Sequence, residues 1–442
     1  MNIHTPSTPL AVFWFRRDLR LEDNAALYRA LGSGLPVLPL FIFDRNILDA
    51  LPDRRDPRVS FIYNALRDIQ HQLRKTGSGI RLEHGYPVEI WQKLLKELNI
   101  RAVFFNRDYE PYARQRDAEV ERLLNSAGVQ VYSGKDQIIF EPEEVVKADG
   151  TPYQVYTPYR RQWVKKLQER DIPVYPSEKL LEKFAKNQRA PMPELRELGF
   201  QPSNLAIPPK SVEDSLLKSY HQNRDYPARK GTSRLGVHLR FGTISIRRAV
   251  AAARELNETW LHELIWREFF MMLLWHFPHT AEQPFRSTYR NFPWRKDEAA
   301  FRRWCEGTTG FPLVDAGMRE LNQTGYMHNR VRMVSANFLT RLLLIDWRMG
   351  ERYFAEKLLD FELASNVGNW QWSAGCGADA APYFRIFNPE TQIQKFDAEK
   401  EYIRRWIPEY GGSHYPRPML DYPKARRQTL AIFKAHLGNL AG

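Results

Sequence analysis

Short apolar runs punctuate the first third of this chain. LAVFWF (10–15), VLPLFIF (37–43), IRLEH (80–84), AVFFN (102–106) and VQVY (129–132) each have the length and content of a strand. Between them, residues 25–31, 59–74, 87–98 and 113–127 space their apolar side chains for helices. Asp23 stands where it can cap the first of these, and Pro87 suits a first helical turn. Strands alternating with helices across short connections predict a parallel, doubly wound α/β sheet over residues 1–133.

The pattern then breaks. Pro173, Pro176, Pro191, Pro193, Pro202, Pro208 and Pro209 interrupt residues 134–210, with one helical stretch at 154–168. This reads as a long inter-domain connector on the surface. From residue 211 to 442 strand patterns are scarce. Helical spacing recurs at 212–221, 246–255, 260–277, 298–305, 314–324, 330–344, 350–358 and 424–437. The expectation is an all-α domain of irregularly clustered helices.

Charge changes the picture. Lys and Arg number 65 against 52 Asp and Glu, a net +13, which favours a polyanionic partner such as nucleic acid. The two cysteines, Cys305 and Cys376, have no ligand or CxxC spacing, so neither a disulfide scaffold nor a zinc site is expected. No run is apolar enough over membrane length, and the N-terminus lacks a signal-peptide pattern; the chain reads as soluble and cytoplasmic.

The candidate chemistry lies mainly in the helical half. The α/β half lacks both GxGxxG after its first strand and GxxxxGK[ST], so any nucleotide cofactor is held elsewhere. GTSRLG (231–236), preceded by Tyr220 and Arg224, is either a phosphate-binding turn or a solvated one. WLHELIWREFFMMLLWHF (260–277) is apolar nearly all round. Its Glu263, Trp266 and Arg267 share a face, as an internal Glu263–Arg267 ion pair or as a carboxylate beside a Trp lining a pocket. In TGYMHNRVRMVSANFL (324–339), Asn329 and Met333 stand four apart, flanked by Arg330 and Arg332. DFELASNVGNWQWSAGCG (360–377) packs Asp360, Glu362, Asn366, Trp370 and Trp372 into a few turns. It is either a helix end with anchoring Trp or a wall around something flat and polar-edged. No hydrolytic triad, HExxH or EF-hand loop emerges, which favours a protein whose cofactor does the hard chemistry.

The ordered motifs FWFRRDLRLEDNAAL (13–27), DYEPYARQRD (108–117), GTSRL, ELIWREF (263–269), TGYMHNRVRM (324–333), DWRMGERYF (346–354), NWQWSAG and APYFRIFNPETQ (381–392) resemble the photolyase/cryptochrome family along essentially the whole chain. The resemblance implies a flavoprotein with FAD, working as FADH⁻, in the helical domain. Tyr220, Thr232, Ser233, Arg234, Leu235 and Gly236 match its phosphate and ribityl positions, although Gly236 stands where many relatives have Ser. Arg267, Arg332, Asp360 and Glu362 match flavin-side positions, with Arg332 and Asp360 an expected ion pair. Asn366 matches the residue opposite flavin N5. Trp370, Trp347 and Trp294 match an electron-hopping chain from flavin to surface.

Side chains then point to a subtype. Glu263, Trp266, Asn329 and Met333 resemble the substrate pocket of class I cyclobutane pyrimidine dimer photolyases. Six-four photolyases carry His near Asn329, and plant cryptochromes usually have Asp for Asn366. The chain also ends without the long tail common in signalling cryptochromes. The implied activity is light-driven repair of pyrimidine dimers by electron transfer from excited reduced FAD. Arg224, Arg330, Arg385 and Gln392 match DNA contacts, alongside Glu263 and Asn329. The implied partner is damaged DNA with its dimer flipped from the duplex, the protein acting as a monomer. The competing expectations are a blue-light photoreceptor of cryptochrome type and a six-four photolyase. For an antenna, the Asn–Glu pair that some relatives use for folate aligns with Tyr112–Ala113 and is absent. Arg58 and Asp108 look more like a deazaflavin site; methenyltetrahydrofolate, flavin mononucleotide or no antenna stay open. Glu362, Asn369 and Tyr326 replace the usual Asp, Gly and Trp, and Asn369 resembles the DASH cryptochromes.

Overall fold

A computed structural model describes residues 8–186 and 191–438. The extreme N-terminus, read above for a signal pattern, lies outside them in residues 1–7. Contacts divide the chain into two compact units: Met1–Glu144, Lys165–Lys210 and Leu235–Ala252 form one, and Val145–Val164, Ser211–Arg234 and Ala253–Gly442 the other.

In the first unit β1 (Leu10–Phe15), β2 (Val37–Asp44), β3 (Arg81–Gly85), β4 (Ile100–Asn106) and β5 (Gln130–Gly134) form one parallel sheet in the order β3-β2-β1-β4-β5. The three central strands β1, β2 and β4 fall on apolar runs, because a sheet covered on both faces needs continuous burial there, whereas the edge strands β3 and β5 are mixed in sequence and only partly buried. All of β2 is buried, and Val12, Trp14, Leu40 and Val103 lie in a core shared with Trp91 and Leu94. The crossovers are α1 (Ala25–Leu31), α2 (Pro57–Arg74), α3 (Pro87–Glu97) and α4 (Pro111–Ser126). Pro87 occupies the first turn of α3, as its spacing predicts.

Asp23 does not cap α1. Asn24 does, accepting from the Leu27 N–H at 3.2 Å. Asp23 sits at φ 43° and meets the Arg247 guanidinium at 3.1 Å. Its carboxylate is drawn to a buried cation rather than to the helix end. The same chemistry explains the RRDLR stretch after β1. Arg20 reaches Asp136 at 2.7 Å and Arg17 reaches Asp108 at 3.1 Å. These arginines tie the ends of the strands together by ion pairs.

In the second unit the principal helices are α5 (Tyr156–Gln168, whose last residues belong to the first unit), α6 (Glu258–His276), α7 (Pro312–Thr324), α8 (Asn329–Asn337), α9 (Trp347–Lys357), α10 (Leu363–Ala374) and α11 (Tyr422–Gly438). Their core gathers Trp304, Leu321, Val331, Trp347 and Trp370. Two expected helices are interrupted. The 330–344 stretch is α-helical only to Asn337, then continues as a π-turn over Phe338–Leu342. Thr340 donates its hydroxyl to the Ala336 carbonyl at 2.8 Å, competing with the backbone ladder. The 212–221 stretch splits into Asp214–Lys218 and Tyr220–Asn223 at Ser219, whose hydroxyl bonds back to the Ser215 carbonyl at 3.0 Å. Both cysteines are free thiols. No helix among the described residues is long and apolar enough to cross a membrane.

Candidate cofactor and substrate site

Helix α6 starts where Asn257 accepts from the Trp260 N–H at 3.2 Å. Its nearly continuous apolar sequence buries most of its length, so its charged residues need partners. Glu263 and Arg267 find theirs elsewhere. Glu263 accepts from Arg224 at 2.5 Å, and Arg267 reaches Glu362 at 2.8 Å. The internal Glu263–Arg267 pair is thus replaced by two long-range pairs. Burial pushes the Glu263 carboxyl up, and Arg224 opposes that only in part. Arg224 also lies 5.5 Å over the ring of buried Tyr220.

Helix α8 is capped by His328, whose Nδ1 accepts from the Arg330 N–H at 3.2 Å. That ring must be neutral at Nδ1 to accept. Burial lowers its pKa to about 4, so it stays neutral over the ordinary range. From this cap, α8 projects Asn329, Arg332 and Met333 into one cavity with Asp360, Asn366 and Trp370, enclosing about 570 Å³ of empty space including its mouth. Arg332 grips Asp360 at 2.9 and 3.1 Å and donates through Nε to the Met327 carbonyl at 2.7 Å. This is the ion pair expected from the sequence. Arg330 points away from Arg332, to Asp225 at 2.7 Å and over Phe396 at 4.3 Å.

Helix α10 supplies the opposite chemistry. Asn366 donates its Nδ2 to the Glu351 carbonyl at 3.0 Å and to Glu351 Oε1 at 2.9 Å. Its Oδ1 has no hydrogen-bond partner among the described residues and remains an acceptor for the cavity. Burial pushes the Glu351 carboxyl up. One turn on, Asn369 also lines the cavity, its amide donating to the Ser365 carbonyl at 2.8 Å. Trp370 is buried, with Phe354 at 5.0 Å. Its ring lies so close to Gly350 of α9 that a Cβ there would overlap it. Guanidinium donors, an amide acceptor and aromatic walls suit a flat heteroaromatic ring with a polar edge. FAD is such a group, and the residues present fit its flavin.

The GTSRLG turn is built on close approach. A Cβ on Gly231 would stand 2.5 Å from the Asn223 carbonyl oxygen. Thr232 Oγ1 lies 3.1 Å from Tyr326 Oη, and Arg234, at φ 50°, stacks its guanidinium 4.3 Å over the Tyr326 ring. Ser233 is half-buried between them. Leu235 is buried and leads into a short helix, Gly236–Phe241, of the first unit.

Trp266 is not among the residues lining the Asn329–Asn366 cavity. It lines a neighbouring cleft of about 430 Å³ with Phe270, Gln371 and Trp372, and Trp372 borders both spaces. Trp347 is buried at the start of α9, and Trp294 is half-buried, 4.4 Å from Phe292. The backbone beside Trp294 joins that before Trp347, Arg295 N–H donating to the Leu344 carbonyl at 2.7 Å. Arg385 is exposed, and Gln392 Oε1 is buried with no partner among the described residues. In the first unit, Arg58 is engaged by Asp56 at 2.5 Å. Against the effect of burial, Arg17 and Arg240 hold the Asp108 carboxyl well below the usual carboxylate range.

Two residues of the site, Glu351 and His328, carry no role in the sequence reading, and Trp372 stands in it only as an anchor or a wall of the 360–377 stretch. Trp372 has a legible signal, two positions beyond Trp370 in NWQW. Glu351 and His328 have none, since each acts through a neighbour.

Residues 11–178 match the family model for DNA photolyase, and residues 260–414 that for the FAD binding domain of DNA photolyase. The chain is 37% identical to the deoxyribodipyrimidine photo-lyase of Synechococcus sp., covering 96% of each chain. It is 36% identical to that of Escherichia coli K12, covering 96% of this chain and 98% of the other. Among solved structures, a class III photolyase from Agrobacterium tumefaciens is similar with a TM-score of 0.85 at 34% identity, over 98% of this chain and 99% of that one. A cryptochrome from Synechocystis sp. is similar with a TM-score of 0.83 at 26% identity, over 98% of this chain and 100% of that one.

Proposed function

The chain belongs to the photolyase/cryptochrome family of FAD-binding, light-dependent lyases, and from that premise we propose that it repairs cyclobutane pyrimidine dimers in DNA. The observation that carries the reading is one cavity bounded by Asn329, Met333, the Arg332–Asp360 pair, Asn366 and Trp372.

When bound, FAD supplies the light absorption and the electron that splits the cyclobutane ring. The protein's own residues supply geometry and electrostatics. Arg332 and Asp360 hold the flavin side of the cavity, and Asn366 offers a carbonyl oxygen whose direction Glu351 sets. Asn329 and Met333 position the dimer. Glu263, whose carboxyl is pushed up by burial, holds a proton more readily than an exposed Glu and hydrogen-bonds a base. Trp370, Trp347 and Trp294 conduct electrons inward from the half-buried Trp294. Arg224, Arg330, Arg385 and Gln392 meet the duplex, with the basic surface drawing its phosphates and the affinity falling with salt. The α/β unit is the antenna-type domain, and Arg58 and Asp108 belong to its chromophore region.

The pocket side chains favour class I. The likeness to a class III photolyase structure favours membership of that class as the second reading. The test is illumination of the purified, reduced protein with oligonucleotides containing a cyclobutane dimer or a six-four lesion. Loss of the dimer alone is expected. Loss of the six-four lesion alone would reassign the substrate, and loss of neither would make the protein a photoreceptor. The absorption spectrum of the same preparation identifies any antenna.

A further inference from the structure

The stretch that reads from sequence as surface connector contributes a helix to the substrate side of the helical unit. The first turns of α5 lie along α6. The Tyr159 ring meets Phe269 at 5.2 Å, and Trp163 Nε1 donates to Glu268 Oε1 at 2.6 Å. At the start of α5, Tyr156 lies against Trp266 with ring centroids 3.5 Å apart and planes 8° apart.

That separation equals the van der Waals thickness of one ring, so the two faces are in contact with almost no lateral offset. Ring quadrupoles disfavour such a face-to-face arrangement and prefer an offset or an edge. Other contacts therefore hold it. The Tyr156 O–H donates to the His262 carbonyl at 2.9 Å, and its backbone N–H donates to Asp379 Oδ2 at 3.1 Å. Phe269 meets its edge at 5.7 Å. On Trp266 itself, Phe270 stacks at 5.5 Å and 27°. Trp266 is thus held between rings, and it borders the cleft that Trp372 shares with the main cavity.

We infer that Tyr156 is a positioning residue for lesion recognition: by clamping Trp266 in one plane it presets a wall of the cleft that meets, at Trp372, the cavity proposed to receive the dimer. This rests on the repair function proposed above. A wall ordered before binding spares the complex the loss of side-chain freedom that a mobile indole would suffer. Undamaged duplex is held by its phosphates and does not enter the pocket, so its affinity is indifferent to the clamp. The clamp acts on discrimination between the two DNAs.

The experiment is dark binding of the FAD-loaded protein to matched oligonucleotides with and without one cyclobutane dimer. Tyr156→Ala lowers the preference for the lesion about tenfold while affinity for undamaged DNA stays constant. Tyr156→Phe keeps the ring and loses only the O–H bond, and stays within about twofold of the parent. Tyr156→Leu, which retains apolar bulk without a parallel ring, loses as much as Ala and serves if Ala fails to fold. Unchanged preference in Ala or Leu, with a parent that prefers the lesion, overturns the inference alone. A parent with no preference overturns the repair reading and this inference with it.

Discussion

His328 should make the helical unit acid-sensitive, and the size of the effect follows from its setting. The side chain is 3% exposed and caps α8 through a neutral Nδ1. Burial lowers its pKa from 6.5 to about 4. Above pH 6.5 neither the folded nor the unfolded state holds the proton, and the contribution to stability is complete. As the pH falls, the unfolded chain takes up the proton first, so stability drops until the folded pKa is passed. At 1.36 kcal/mol per pH unit, the gap between 6.5 and about 4 is worth about 3 kcal/mol. His328→Asn retains a capping acceptor and removes the titration. Unfolding free energies of the parent and this variant should keep a constant difference above pH 6.5. That difference should then move by about 3 kcal/mol toward the variant by pH 4. The other titrating groups cancel in the comparison. Histidine ring NMR, with the resonance identified by its absence in the variant, should show titration near pH 4. Titration near 6.5 with parallel stability curves would refute the reasoning.

Further outcomes follow from neighbouring contacts. Gly350→Ala places a methyl into the Trp370 ring, so it should cost about 2 kcal/mol and slow flavin photoreduction severalfold, read by bleaching of the oxidised flavin band. Asp360→Ala leaves the half-buried Arg332 guanidinium without its carboxylate partner, and purified protein should retain less FAD and lose about 2 kcal/mol of stability. Trp294→Phe should slow photoreduction of oxidised FAD yet spare repair by chemically reduced enzyme; normal photoreduction would remove Trp294 from the chain. Glu263→Ala should lower repair per absorbed photon while FAD stays bound, and an unchanged yield would exclude the carboxyl from the reaction.

The strands of the α/β unit and the family to which the chain belongs are determined by the sequence alone. LAVFWF is β1 residue for residue, because a strand buried on both faces writes its own boundaries as an apolar run. The Arg332–Asp360 pair followed from the family likeness and stands in the structure. Partner choice was decided only by tertiary packing. Helical spacing names Arg267 as a neighbour of Glu263, yet Arg224, thirty-nine positions earlier, takes the carboxylate. Spacing along one helix says which side chains share a face and is silent about what arrives from another element. Asp23 lost its capping role for the same reason, to a guanidinium remote in sequence. The fate of Tyr156 was the least legible. The helix that carries it was legible at 154–168, but helical spacing does not name the element it packs on, and only the packing of α5 on α6 set that ring against Trp266.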